Sequence, residues 1–547
     1  MTPEAEIATA RSLIFAAKEE AAKDLLVALG EGIGDGERDD LLLEIFALLG
    51  ELYLVRTAYN GTEECIRRID ERLAVYRSIR AGANPEAAAQ VTMSDTEVDR
   101  MICRYTRRAQ FLRTGLGAAA HGDHEGAELA LFVLCSDESG AAFDDPADLA
   151  DEHAFLVTYA QIICAGALCD DDLHVQSVPL WEKVIEAIDH AGTDREADDH
   201  LLVQGATGYG RFCIETGRLS EAEPWLRRAG ARADARGWEL AKARTQLERG
   251  TASWAGGDVW QTQTLVHEAY PAIAEGYRAH DVSRSWLYLG LIAMSLDKLD
   301  DADERFGHAE RHWREVEKPL HIHRILLQRS WVDILRNRFD AAAEKVAEAR
   351  ELLDSWPRHS WLQYARLDDH VGSLLRAEAL ADPENAAVKL ARAADLKVAA
   401  ALAVDSVRHA IVDADARTRW ATLVSARILA GAFAVVYEWG NTNLLSELIE
   451  YHCARGAFST QPSDGGADDW MGAATAAVPV EAEDEYALVA AGSDAVPASG
   501  GLTRLGPLPP LRMEPEMPPI MSRYRELAHG RYGREITADE AAWSTWP

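Results

Sequence analysis

The segment TGYGRFCIETGRLSEAEPWLRRAG sets a register that the residues after it keep. In it Gly210 is followed, beyond a turn at Gly217-Arg218-Leu219, by Ala222, Leu226 and Ala229. Forty residues on stand Gly250, Thr262, Val266 and Ala269, then Gly290, Ala302, Phe306 and Ala309, then Ser330, Ala342, Val346 and Ala349. A small residue in one helix, then small, large and small residues in the next, is what two antiparallel helices need in order to pack closely. Turns at Asp297-Lys298-Leu299 and Asn337-Arg338-Phe339 end one helix and launch the next. Looser copies keep the same spacing at Gly115 (Ala127, Leu131, Leu134) and at Leu374 (Ala386, Leu390, Ala393). Apolar residues recur at helical period up to about residue 455, and no alternating strand pattern interrupts them. The expectation is an all-α chain of about eight to ten helical hairpins, the last turned at Gly440-Asn441.

These positions resemble the tetratricopeptide signature, and Trp286 and Leu289 fit its earlier apolar positions. The resemblance implies a right-handed α-solenoid. A period of 40 against the usual unit of about 34 implies longer helices. Five regions follow: degenerate hairpins over 1–200, regular repeats over 201–355, further hairpins over 356–455, an acidic Gly/Ala/Pro-rich linker over 456–518, and a short terminal helix from 519 to 547.

Acidic residues number 90 against 56 basic ones, a formal charge of −34. Gripping a phosphate backbone or an anionic bilayer requires clustered Lys and Arg, so nucleic-acid and membrane-surface binding are both disfavoured. The seven cysteines form no C-x-x-C pair, and most lie in apolar stretches, as expected of small buried hydrophobes in a reducing compartment. With no basic n-region and no run of about 18 uncharged apolar residues, the expectation is a cytoplasmic protein.

Residues 456–503 carry Asp464, Asp468, Asp469, Glu481, Glu483, Asp484, Glu485 and Asp494 and no Lys or Arg. This composition offers little apolar surface to offset ordering. The Pro-rich LGPLPPLRMEPEMPP follows, and then Tyr524, Leu527, Tyr532, Ile536, Trp543 and Trp546, a density of aromatics that suits docking onto the repeats or onto a partner.

No metalloprotease, nucleophile-elbow, P-loop or dinucleotide motif is present, so no catalytic residue, cofactor or metal is assigned. His121 and His124 lie at a turn, and His321 and His323 point apart on a helix. A binding face does suggest itself. Arg244, Arg284 and Arg324 share one position, six before the small residue, with Leu247, Leu287 and Leu327 three residues on and Thr251, Leu291 and Trp331 seven on. In tetratricopeptide arrays that position looks into the concave groove. Guanidinium forks there suit carboxylates, either those of an acidic peptide or those of the adjacent hairpin.

The segment ALAVDSVRHAIVDADARTRWATLVSARILAGAFAVVYEWGNTNLLSELIEYHCARG, with LGPLPPLRM and RYGREITADEAAWSTW, resembles a group of actinobacterial tetratricopeptide proteins associated with caspase-like CHAT peptidases. No peptidase domain follows the repeats, and His452 and Cys453 are adjacent on the last hairpin. The resemblance therefore implies a scaffold or adaptor that regulates such a peptidase or presents substrate to it. The alternative is a sensor whose groove is filled by its own tail, residues 456–547.

Overall fold

The computed structural model describes residues 2–33, 38–88, 91–136, 147–189, 195–276, 278–357, 359–409, 414–453, 510–513, 516–537, 539 and 541–544. They form an all-α, tetratricopeptide-like solenoid of paired helices in two compact units. Unit 1 comprises Met1–Phe212, Ser220–Arg249 and Glu268–Asp281; unit 2 comprises Cys213–Leu219, Gly250–His267 and Val282–Pro547.

The hairpins run α1 (Pro3–Phe15) with α2 (Glu19–Gly32), and α3 (Asp39–Val55) with α4 (Tyr59–Arg80). After the short α5 (Pro85–Ala88) come α6 (Asp95–Leu116) with α7 (His124–Cys135), and α8 (Ala147–Asp170) with α9 (His174–Asp189). The regular repeats are α10 (Glu196–Glu215) with α11 (Leu219–Arg236), α12 (Glu239–Ala255) with α13 (Val259–Gly276), α14 (Ala279–Ser295) with α15 (Leu299–Glu315), and α16 (Pro319–Leu335) with α17 (Phe339–Ser355). Then come the longer α18 (Trp361–Ala381) and α19 (Ala386–Ser406), the short α20 (Ala414–Arg419), and α21 (Ala426–Trp439) with α22 (Thr442–Cys453).

The close approach is where the register puts it. A Cβ built on Gly210 would lie 2.6 Å from Leu226, one on Gly250 2.9 Å from Val266, and one on Gly290 2.5 Å from Phe306. Each large residue of the second helix thus fills the space that the small residue of its own hairpin leaves. The spacing also recurs outside the regular repeats, at Ala10, Gly50, Ala165 and Ala432, with Ala22, Thr62, Ser177 and Leu444 twelve residues on, all buried. At Gly115 the pattern slips. A π-helical turn over Gly117–His121 ends the first helix, so a Cβ on Gly115 would meet Leu54 of the preceding hairpin, and Gly117 is the residue that faces Ala127.

The turns share a geometry too. Seven residues after the small position stand Ala17, Thr57, Gly122, Asp172, Gly217, Gly257, Asp297 and Asn337, all left-handed with φ between 56° and 85°. The next amide, at Lys18, Ala58, Arg218, Lys298 and Arg338, donates to the carbonyl five residues earlier at 2.7–2.8 Å. That bond satisfies an otherwise orphaned carbonyl at the end of the first helix and fixes the chain's reversal.

Leu149–Asp170 and Arg417–Trp439 are long and apolar enough to cross a membrane; 50% and 44% of their apolar windows are buried. Five of the seven free cysteines are buried, and Cys135 and Cys453 are exposed.

The terminal segment departs from the expected helix. Met521 in the left-handed region precedes α23 (Ser522–Tyr532), and left-handed Gly533 ends it. Beyond it β2 (Trp543–Ser544) runs parallel to β1 (Leu511–Arg512), inside the Pro-rich stretch.

Candidate binding face

In unit 1, α12 carries Arg244, half-buried and held from both sides. Its Nε donates to the Asp281 carboxylate at 3.1 Å and its Nη1 to Gln204 Oε1 at 3.1 Å. Gln204 is the residue one repeat earlier at the same position, so this rung of the column stitches neighbouring first helices together. Leu247 and Thr251 are buried, at 2% and 5% exposure. In unit 2, Arg284 on α14 and Arg324 on α16 are half-buried, as are Leu287 and Leu327 beside them. Leu291 and Trp331 lie inside the packing, at 0% and 6% exposure, with Trp331 edge-on to His370 at 4.6 Å. Of the nine residues expected on this face, the three arginines, Leu287 and Leu327 keep access to solvent.

The same position in the irregular hairpins of unit 1, six before Gly50 and Ala165, is held by Glu44 and Tyr159. Glu44 is 4% exposed and sits in a buried ion network. Arg108, 5% exposed, reaches Glu152 at 2.6 Å, Glu51 at 3.0 Å and Glu44 at 3.3 Å. Arg104 adds bonds to Glu152 and Glu44, Arg11 pairs with Glu44, and the Tyr105 hydroxyl donates to Glu44 at 3.1 Å. Burial alone would raise the Glu44 carboxyl, but Arg108, Arg104 and Arg11 outweigh it and bring it down to about 2. At Glu51 burial wins over Arg108, and its carboxyl is raised. Such a network is stable only while every charge keeps its partner. Spacing alone could have located Glu44; the arginines that meet it come from α1 and α6, and no local pattern announces them.

Near the network, the Phe15 ring lies tilted against His200 at 4.7 Å, Ser12 donates to Glu196 at 2.6 Å, and Arg278 meets Glu19 at 2.6 Å. The first hairpin thus closes against α10 and the residues before α14. His200 is buried, and burial, then Arg278 and Arg244, lower it to about 3.

The other histidines named above have separate surroundings. His124 pairs with Asp171 at 2.9 Å; His321 stacks on Trp313 at 4.0 Å, while His323 bonds the Ala349 carbonyl. His452 lies edge-on to Phe433.

In unit 2, Tyr524, Ala528, Tyr532 and Ile536 of the terminal segment are buried in the core that α18, α19, α21 and α22 share. Asp368 on α18, six before Leu374, is 3% exposed; it accepts from Arg531 at 3.0 Å, the Tyr532 hydroxyl at 2.9 Å and Arg350 at 2.6 Å. Arg523 pairs with Asp395, and the Met521 amide donates to Glu447. The acidic stretch 456–503 and Trp546 lie outside the described residues.

No family model and no curated protein matches the chain. Among solved structures, the apo form of the quorum sensor NprR from B. thuringiensis is similar over 64% of this chain and 98% of its own, at 10% identity and a TM-score of 0.32. The APC/C hetero-tetramer Cut9-Hcn1 is similar over 82% of this chain and 84% of that one, at 13% identity and a TM-score of 0.35. The fold class rests on the hairpin register, not on these likenesses.

Proposed function

We propose that this protein is a non-enzymatic scaffold or adaptor that holds a protein partner or an acidic peptide. In unit 2 the ligand lies along α14 and α16, on Arg284 and Arg324 with Leu287 and Leu327 as its apolar floor; in unit 1 Arg244 marks the same position. The observation that supports this most is the half-buried guanidinium repeated at one position of consecutive first helices in an acidic protein. Forks so placed match successive carboxylates of an extended chain. The resemblance to CHAT-associated proteins points to such a peptidase as the partner regulated or supplied with substrate.

The test is titration of a labelled acidic peptide into the full chain and into Arg284→Ala/Arg324→Ala. At least a tenfold loss of affinity is expected, with unchanged helical circular dichroism. Equal affinity overturns the assignment. The second reading, a sensor filled by its own tail, draws on the seat that α23 occupies in unit 2.

A further inference from the structure

We propose that the seat of α23 is a recognition site for a short amphipathic helix ending in an Arg-Tyr pair. The chain's own residues 520–536 fill it, and the same motif on a partner can replace that segment. Asp368 holds the register position that follows Arg324, but the seat is built from α18, α19, α21 and α22, and the inference does not depend on what the arginines bind.

Two observations carry it. First, the terminal segment is closed on itself rather than continuing α22, from which residues 454–509 separate it. The Ile520 amide donates to the Leu511 carbonyl at 2.8 Å, β1 pairs with β2, and Arg525 bonds Thr537 at 3.2 Å. It therefore docks as a small module with its own internal bonds, as a ligand does. Second, the contacts have the anatomy of recognition: an apolar stripe and a buried polar anchor. Tyr524, Ala528 and Tyr532 recur every four residues, one face of a helix, against the core. At the end of that stripe Asp368 waits nearly fully buried, its Oδ2 taking both the Arg531 guanidinium and the Tyr532 hydroxyl while Arg350 holds Oδ1. Arg534 adds a cation over the Trp361 ring at 4.8 Å. A helix lacking the Arg-Tyr end would leave the carboxylate short of two donors in a site shielded from water, which is how such a seat rejects other amphipathic helices.

The experiment uses the full chain and a labelled synthetic peptide of residues 510–544. Arg531→Ala/Tyr532→Ala loosens the resident segment, so this variant should bind the peptide at least tenfold more tightly than wild type. Adding Asp368→Asn should remove at least tenfold of that affinity. The milder Tyr532→Phe, which keeps the ring and loses the hydroxyl, should bind between wild type and the double variant, and it guards against loss of fold. Peptide binding no better than wild type in both variants, or indifferent to Asp368→Asn, overturns the proposal.

Discussion

Among the residues six before a small position are Glu44, Tyr159, Gln204 and Arg244 in unit 1, and Arg284, Arg324 and, in the register of Leu374, Asp368 in unit 2. The packing positions around it hardly change between the two, being small or apolar and buried in both. The folding rule thus occupies one set of positions and leaves this one free. Unit 1 uses the freedom to consume its charges internally, three carboxylates around Arg108 and Arg244 between Gln204 and Asp281. Unit 2 uses one such residue, Asp368, to hold a separate segment. A charge at this position thus serves the stack in one unit and a separate segment in the other.

The comparison can be broken most forcefully at Arg108. Arg108→Met strands Glu44, Glu51 and Glu152 without their shared cation, and breaking a buried pair costs about 3–5 kcal/mol. Arg284→Met, half-buried, should cost under about 1 kcal/mol, since partly solvated pairs are weak. Urea denaturation followed by hydrogen exchange in peptides of each unit reads both. Equal midpoint shifts would show that unit 1's charges are no more interdependent than unit 2's.

A smaller effect comes from pH, and here the units should agree. His200 in unit 1 and His370 in unit 2 are both brought down to about 3, His370 by burial, then Lys397 and His323. A depressed folded value means stability that is present above the free-histidine pKa of about 6.5 and is lost as pH falls toward 3. At pH 5 each histidine should have forfeited about 2 kcal/mol. Glu44, at about 2, adds a loss only below the free glutamate range. Glu51 is raised and has the opposite sign, its contribution being lost as pH rises. Denaturation midpoints at pH 7 and pH 5 should therefore fall for wild type and flatten in His370→Gln for unit 2. An unchanged slope in that variant would separate acid lability from the buried imidazole.

Much of this was legible, and what was not has identifiable causes. Gly210, Gly250, Gly290 and Ser330 announce themselves because four copies follow one another at equal intervals. Ala10 and Gly50 fall in phase with the same period of 40, while Ala165 and Ala432 keep only the internal spacing, because insertions and longer helices vary the distance between copies. The π-turn after Leu116 adds a residue within a helix, which no apolar pattern displays. The arginine column was visible, but Asp281 as the partner of Arg244 was not, because a carboxylate among 90 acidic residues carries no signal. The Asp368 seat pairs residues about 160 apart in the chain.

The finest test swaps a turn residue between the units. Thr57 in unit 1 and Gly217 in unit 2 occupy the same place, seven after Gly50 and Gly210, with φ of 59° and 73°. A left-handed conformation costs an L-residue about 1–2 kcal/mol, and a β-branched one is the least suited to it. Glycine avoids that strain but loses about 0.5–1 kcal/mol in chain entropy, so Thr57→Gly should stabilise unit 1 by somewhat under about 1 kcal/mol. Gly217→Ala runs the other way, and its new Cβ would also meet Leu423 at 3.1 Å, tighter than ordinary contact. A loss of about 1–2 kcal/mol is expected in unit 2. Opposite signs in thermal or chemical midpoints would show one turn geometry imposed by the hairpin on whatever residue stands there. If Thr57→Gly destabilises, Thr57 contributes through its half-buried side chain, and the two turns are alike in φ alone.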